Sequence, residues 1–129
     1  MSKKRVYISF DYDYDEDLKN LLVGQSRLDD SPFEIIDMSI KEAVSYNWKE
    51  YARKRIRSCD TVIVICGLYT NYANGVSEEV RIAQDESIPY FLLHGRNGYQ
   101  CVKPLSAHYN DKIYNWTWNN IKLLLEGYR

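Results

Sequence analysis

Apolar and polar positions along the chain switch repeatedly between a two-residue period and a three-to-four-residue period. Short apolar or alternating runs predict strands at residues 5–10, 33–36, 61–66 and 89–95, with a short edge strand at 112–114. Apolar positions on one face of successive helical turns predict helices at residues 15–23, 47–58, 75–83 and 118–125. Loops are expected at residues 37–46 and 67–75. The chain is therefore predicted to consist of repeated β-α units.

The third predicted strand, Thr61–Cys66, is apolar on both faces, which is typical of a central parallel strand covered by helices. Repeated β-α units form right-handed crossovers that place helices on both faces of the sheet. In the first helix, Leu18, Leu21 and Leu22 are expected to form the buried stripe. We predict an α/β fold of the flavodoxin-like class, a three-layer sandwich in one domain over residues 1–129. Its central parallel sheet is expected to have four to five strands in the order 2-1-3-4-5.

Sheets of this class bind ligands beyond the carboxyl ends of the strands, where the strand order reverses between the first and third strands. Residues 10–14, 37–39 and 66–75 are expected on that rim. The rim supplies the candidate ligand contacts, which are polar or aromatic side chains: Phe10, Asp11, Tyr12, Asp37, Ser39, Tyr69 and Asn74. These assignments follow from rim position alone.

Glu79 is a carboxylate at a position where the helical pattern calls for an apolar residue. At about 100° per residue, Val76, Val80 and Ala83 share one face of the predicted helix, and Glu79 falls within that arc. Its neighbour Glu78 points the opposite way, toward water. A buried carboxylate is costly unless a partner compensates it. Glu79 is expected in the first helical turn beside the predicted ligand rim, and it is the candidate catalytic residue.

The composition mainly excludes classes of protein that bind nucleic acid or associate with membranes. The 129 residues are 45% hydrophobic and carry a formal net charge of −1, which gives no overall attraction to nucleic acid or to an anionic membrane. The apolar runs are far shorter than the roughly 20 residues of a membrane span. Three cysteines without paired spacing indicate reduced thiols, so we expect a cytoplasmic protein.

Several familiar sites lack their defining residues. The turn after the first strand is FDYD at residues 10–13, so neither a P-loop nor a dinucleotide-binding fingerprint is present. A response-regulator receiver needs an aspartate at the end of the third strand, where Cys66 stands. The DYDYDED run at residues 11–17 alternates like a calcium loop but lacks its glycine and final glutamate, so a solvated turn is favoured. We expect no metal and no cofactor.

Residues 49–57 (KEYARKRIR) place basic side chains on the outer face of the second predicted helix. Such a run usually serves solubility. It also has the charge to meet the acidic DYDYDED run of another copy, because opposite charges guide self-association. A homo-oligomer held by these two faces is therefore one possible assembly, whereas a nucleic-acid partner is not expected.

Four segments together resemble a known family: RVYISFDYD, FEIIDMS, NWKEYARKRIRSCDTVIVICG and GVSEEVRIA. Their order and spacing resemble the TIR-like domain of the bacterial Thoeris anti-phage system, the ThsB type. The resemblance extends over nearly the whole chain. Two positions depart from the family pattern, because Met38 stands where a tryptophan is often found and Gly75 precedes Val76.

The resemblance implies a TIR-like, flavodoxin-like fold with a catalytic glutamate on the helix after the third strand, which by motif position is Glu79. NAD is implied as the substrate, not as a cofactor. Its nicotinamide-ribose bond is broken, and a cyclic ADP-ribose isomer is released that activates a nucleotide-sensing partner effector. With NAD as ligand, Phe10, Tyr12 and Tyr69 are expected to stack on its rings. Asp37, Ser39 and Asn74 are expected to bind hydroxyls or the amide, and Asp11 shares their rim.

Two other functions stay open at this point. Nucleoside deoxyribosyltransferases use a sheet-edge glutamate on the same architecture, as a nucleophile on a deoxyribose. Alternatively, the chain is a non-catalytic TIR-like module that binds partner domains or a nucleotide. In that case Glu79 is a structural carboxylate, hydrogen-bonded to the backbone at the start of its helix.

Overall fold

A parallel sheet of five strands forms the centre of the computed structural model, which describes residues 3–39 and 47–128. The strands are, in chain order, β1 (Lys4–Ser9), β2 (Phe33–Met38), β3 (Thr61–Cys66), β4 (Tyr90–His94) and β5 (Ile113–Asn115). They lie in the order β2-β1-β3-β4-β5, and every neighbouring pair is parallel. The predicted fold class and strand order are confirmed.

Helices cover both faces of the sheet. They are α1 (Glu16–Ser26), α2 (Trp48–Arg57), α3 (Asn74–Asp85) and α4 (Trp118–Leu125), and a 3-10 turn at Thr70–Tyr72 precedes α3. One face of the sheet packs against α1 and α4, where Leu22 and Ile121 are completely buried. The other face packs against α2 and α3, where Ile56 and Val80 are completely buried. The predicted three layers follow from these two hydrophobic cores.

Two details of the helices differ from the sequence-based expectation. Leu21 is 54% exposed, so its predicted place in the buried stripe of α1 is wrong, and Leu18 and Leu22 alone are the buried residues of that helix. Helix α3 begins at Asn74, earlier than its apolar pattern indicates. Glu79 therefore lies in the second turn of α3, and its predicted first-turn position is wrong.

The end of β2 also differs from the prediction. The strand continues to Met38, because its alternating pattern persists beyond the apolar run that marked its start. Asp37 is consequently a strand residue and does not belong to the predicted loop 37–46. Residues 40–46 of that loop lie outside the described residues.

Candidate active site

The side chains of β1 alternate between the two faces of the sheet. Val6 and Ile8 belong to the core beneath α1 and α4, whereas Tyr7 belongs to the core beneath α2 and α3. Ser9 lies two residues after Tyr7 and therefore points to the same face. Tyr7 is 1% exposed and Ser9 is completely buried. Strand β1 thus presents two buried hydroxyl groups toward α3.

Glu79 reaches these hydroxyl groups from the inner face of α3, where the helical pattern placed it. The residue is only 2% exposed. Its Oε1 accepts hydrogen bonds from Ser9 Oγ at 2.7 Å and Ser39 Oγ at 2.5 Å, and its Oε2 accepts one from the Tyr7 hydroxyl. Hydrogen bonds to an ionised acceptor are about twice as strong as neutral ones. These hydroxyl groups compensate the buried carboxylate and fix its orientation.

The protonation state of Tyr7 suits its role as a hydrogen-bond donor. Burial raises the pKa of the Tyr7 phenol well above its ordinary value, and the adjacent Glu79 carboxylate raises it further. Both causes disfavour the phenolate, because it would be a second negative charge in a dry environment. The phenol therefore keeps its proton at physiological pH.

Ser39 joins the ends of two strands to the carboxylate of Glu79. Its backbone N–H donates to the carbonyl oxygen of Ile8 at 2.8 Å, which extends the pairing of β2 with β1. Its Oγ accepts a hydrogen bond from the backbone N–H of Phe10 at 3.1 Å. Ser39 is therefore held by the carboxyl ends of β1 and β2, at the rim where a ligand was predicted.

A cavity of about 310 Å³ opens beside Glu79 at this rim. Its lining includes six of the residues selected from the sequence: Phe10, Asp11, Tyr12, Ser39, Asn74 and Glu79. Small-molecule pockets have volumes of roughly 300–1,000 Å³, so this cavity is large enough for a ring and a sugar. The structure thus brings most of the predicted site residues around one space.

Asp37 lies elsewhere. A register shift between β1 and β2 pairs Asp37, and not Ile36, with Tyr7. The Asp37 carboxylate is bound by Arg55 of α2, with an Nε–Oδ2 distance of 2.8 Å. Asp37 is absent from the cavity lining, so its predicted contact with a ligand hydroxyl has no support from the geometry.

Tyr69 also stands back from the cavity. Its ring lies 4.6 Å from the ring of Tyr14, measured between centroids, and it is Tyr14 that lines the cavity. Tyr69 is 45% exposed and packs behind Tyr14. The geometry therefore favours Tyr14 for stacking on a ligand ring, with Tyr69 supporting the ring of Tyr14.

Sequence reasoning did not select these residues of the site as candidate contacts: Tyr7, Ser9, Tyr14, Trp48 and Tyr72. A signal was present for the first two, because polar side chains two residues apart interrupt one face of an otherwise apolar strand. Trp48 both packs on the core beneath α2 and α3 and lines the cavity. Tyr14 and Tyr72 lie within the predicted rim ranges 10–14 and 66–75, but no local pattern distinguishes them from other exposed tyrosines.

The sequence profile of the Thoeris protein ThsB, TIR-like domain, matches residues 7–96. The chain belongs to this family. The match contains all four residues of the hydroxyl-carboxylate cluster, namely Tyr7, Ser9, Ser39 and Glu79. The protein is therefore a TIR-like module of the Thoeris anti-phage type, and the predicted resemblance is confirmed at that level.

Other comparisons add little to the family assignment. No curated protein sequence matches the chain. Among solved structures, the glutaminase domain of Trypanosoma brucei CTPS with bound acivicin is similar over 70% of this chain and 36% of that one, with 20% identity and a TM-score of 0.46. This chain thus spans little more than a third of that structure's length. A likeness this weak carries no argument about function.

Among residues 3–39 and 47–128, no group of three or more His, Cys, Asp or Glu side chains is arranged to hold a metal ion. The helices in the same ranges are all too short or too polar to cross a bilayer.

Proposed function

We propose that this ThsB-family domain cleaves the bond between nicotinamide and ribose in NAD. In this proposal the remaining ADP-ribose closes on itself, and the cyclic isomer activates a nucleotide-sensing partner effector. The observation that carries the proposal is the environment of Glu79, a buried carboxylate fixed by three hydroxyl groups in the wall of a cavity. The family membership supports the choice of NAD as substrate.

The chemistry of the bond explains why one oriented carboxylate suffices. When the bond from the ribose anomeric carbon to the ring nitrogen breaks, the electron pair moves to nitrogen and positive charge develops on the sugar. Carboxylates serve glycosyl-bond chemistry because they stabilise this oxocarbenium-like charge. Glu79 is preorganised for that role, since its orientation does not have to be created during the reaction. Nicotinamide leaves as a neutral molecule, so no second acid is required.

The fate of the sugar cation depends on which nucleophile reaches the anomeric carbon. Attack by a group of the same ADP-ribose molecule closes a ring, whereas attack by water gives linear ADP-ribose. Exclusion of water therefore favours the cyclic product. Aromatic rings surround the cavity, among them Phe10, Tyr12, Tyr14 and Trp48, and they provide apolar surface for that purpose.

Replacement of Glu79 by glutamine tests the role of the carboxylate. Glu79→Gln keeps the side-chain size and one oxygen acceptor but removes the charge that stabilises the sugar cation. We expect NAD turnover to fall by about 10²–10³-fold or more, in line with the loss of one preorganised electrostatic group. NAD and its products are measured by mass spectrometry, with the protein alone and with lysate from phage-infected cells.

Glu78→Gln is the matched control for this experiment. Glu78 is the adjacent residue of α3, and its carboxylate is bound on the outer side by Lys49 at 3.5 Å. The same chemical change at this position should leave turnover within about twofold of the parent, because surface ion pairs contribute little. Full activity of Glu79→Gln would remove Glu79 from the mechanism.

The same cluster also favours a second function, a non-catalytic module. Buried polar groups are normally hydrogen-bonded, and among the described residues Glu79 satisfies that rule through the side chains of Tyr7, Ser9 and Ser39. In this alternative the cavity holds a nucleotide without cleaving it. NAD that stays intact both with and without infected-cell lysate, while still binding to the protein, would favour the module over the enzyme.

A further inference from the structure

The cavity beside Glu79 is acidic. Its described lining carries three carboxylates, those of Asp11, Asp13 and Glu79. Within residues 3–39 and 47–128, the lining includes no lysine, arginine or histidine. A site shaped chiefly for the phosphates of a dinucleotide would be expected to carry basic side chains, because phosphate recognition depends on them. The charge of the described lining instead suits a cation.

Aromatic rings complete the wall. Phe10 and Tyr12 stack on each other with ring centroids 5.8 Å apart, and Tyr12 is 39% exposed. Trp48 and Tyr72 line the same space. The face of an aromatic ring attracts cations, and indole does so most strongly. Carboxylates together with aromatic faces are the surroundings that an aromatic cation requires.

Asp11 adds a second reason for a cationic ligand. The residue is 7% exposed, and burial raises the pKa of its carboxyl group above the ordinary value. Burial therefore penalises the ionised form of Asp11. A cation bound in the cavity would offset this penalty, because an opposite charge nearby favours ionisation.

We propose that the cavity recognises the positively charged N-substituted pyridinium ring itself, with Asp11 and the surrounding aromatic faces as the determinants of specificity. This inference rests on the proposed function and names the part of the substrate that the cavity recognises. Oxidised nicotinamide nucleosides and nucleotides carry that charge, whereas their reduced forms and free nicotinamide do not. After bond cleavage the ring is neutral, so the cavity binds the leaving group more weakly, which favours its release.

The recognition has a kinetic consequence within the proposed reaction. Asp11 would act on the ring charge before cleavage, whereas Glu79 acts on the sugar charge that develops during cleavage. Loss of an interaction that is already made in the bound substrate and is not strengthened in the transition state appears in KM. Asp11→Asn should therefore raise KM for NAD with little loss of kcat, in contrast to Glu79→Gln.

A matched pair of small ligands tests the inference without any catalysis. 1-Methylnicotinamide is a cation, and nicotinamide has the same ring and amide without the charge. We expect the intact chain to bind the cation about tenfold more tightly, as measured by ligand-detected NMR titration. In Asp11→Asn this ratio should fall toward one.

The variants are chosen to keep the fold. Asparagine at position 11 retains an oxygen for the turn hydrogen bond that Asp11 Oδ1 accepts from the backbone N–H of Asp13 at 3.1 Å. Asp30→Asn is the matched control, since Asp30 is an exposed turn residue that does not line the cavity, and it should keep the parental ratio. Equal affinity of the parent for both ligands, or an unchanged ratio in Asp11→Asn, would overturn the inference.

Failure of this inference and failure of the proposed function give different results. Preference for the cation without NAD cleavage under any condition would leave the binding specificity and remove the enzymatic role. NAD cleavage without preference for the cation would leave the enzymatic role and remove the specificity. ADP-ribose is a useful third probe, because it carries the phosphates without the pyridinium charge. Displacement of 1-methylnicotinamide by ADP-ribose at a lower concentration than by NAD would also contradict the inference.

Discussion

Tyr7 connects strand β1 to the candidate catalytic carboxylate, and its hydroxyl group donates to Glu79 Oε2. In Tyr7→Phe the ring still fills the core beneath α2 and α3, but that donor is lost. A buried hydrogen bond to a charged group is worth about 1.5–3 kcal/mol. We expect the free energy of unfolding to decrease by about 1.5–3 kcal/mol. NAD turnover should fall by about tenfold or more, because the carboxylate is less well oriented. Thermal unfolding and product analysis measure the two effects.

Tyr90→Phe is the control for this prediction. Tyr90 also donates its hydroxyl to a carboxylate, that of Asp111, but neither residue lines the cavity beside Glu79. Its loss should lower stability without a specific loss of turnover at saturating NAD. If both variants reduce turnover only in proportion to the fraction of unfolded protein, Tyr7 has a structural role and does not position Glu79.

The residues of this cluster differ in how far the sequence reveals them. Glu79 is recognisable because helical periodicity is local, and an acidic side chain on an apolar face can be read from four or five neighbouring residues. Its partners Tyr7 and Ser39 lie 72 and 40 positions away, so only the fold brings them together. The pairing of Asp37 with Tyr7 was not predictable for a related reason, because a shift of register between two strands is not encoded in either strand alone.

At the scale of elements, the turn after β3 depends on Gly67. A Cβ atom at this position would lie 2.4 Å from Asp15 Oδ2. Asp15 is 1% exposed, and its other oxygen is bound by Arg96 Nη2 at 3.2 Å. The carboxylate therefore has little room to move away. Glycine at position 67 allows the end of β3 to pack directly on the start of α1.

Gly67→Ala should consequently destabilise the protein. Overpacking of a dense region costs about 1–3 kcal/mol, and here it also disturbs the pair formed by Asp15 and Arg96. Gly24→Ala provides the control, because Gly24 lies within α1 and a Cβ there meets nothing within 4 Å. That change should be neutral or should stabilise the helix by up to about 1 kcal/mol. Chemical denaturation distinguishes the two, and equal stability of both variants would contradict the packing argument.

The elements themselves were largely predictable, with their ends as the exception. Thr61–Cys66 and Trp118–Leu125 have the predicted bounds, since hydrophobic patterns are clearest in strands buried on both faces and in amphipathic helices. The start of α3 was missed by one residue because Asn is usual in turns, and Asn74 was therefore assigned to the preceding loop. Leu21 was misassigned because three leucines in one turn and a half offer more apolar positions than α1 buries.

At the scale of the whole molecule, the strand order followed from a general rule for repeated β-α units. No comparable rule predicts which surface charges form ion pairs within the chain. The basic face of α2 is bound mainly within the chain, where Lys49 pairs with Glu78 and both Arg53 and Arg57 pair with Glu86. These ion pairs reduce the charge that α2 can offer to the acidic run of another copy. Self-association through these two faces stays a prediction, with less charge to support it than the sequence indicates.

These ion pairs make the stability of the whole fold depend on pH in the acidic range. Glu86 follows α3 and joins it to α2, because its Oε2 lies 2.5 Å from Arg53 Nη1 and its Oε1 lies 2.7 Å from Arg57 Nε. The hydrogen bond from Arg57, and to a lesser extent that from Arg53, lowers the pKa of the Glu86 carboxyl group from 4.5 to about 2. A group with a depressed pKa in the folded state stabilises the fold above its unfolded pKa. That contribution is lost as the pH falls through the folded value.

Glu86→Gln should therefore lower the thermal midpoint at pH 7, and the difference from the parent should shrink as the pH falls from 4.5 to about 2. Glu34→Gln is the control, since Glu34 is an exposed carboxylate on β2 outside the ion pairs between α2 and α3. It should leave the midpoint nearly unchanged throughout this range. Thermal unfolding followed by circular dichroism at several pH values measures both variants. A Glu86→Gln difference that stays constant down to pH 2 would show that the lost interaction is not that of the ionised carboxylate.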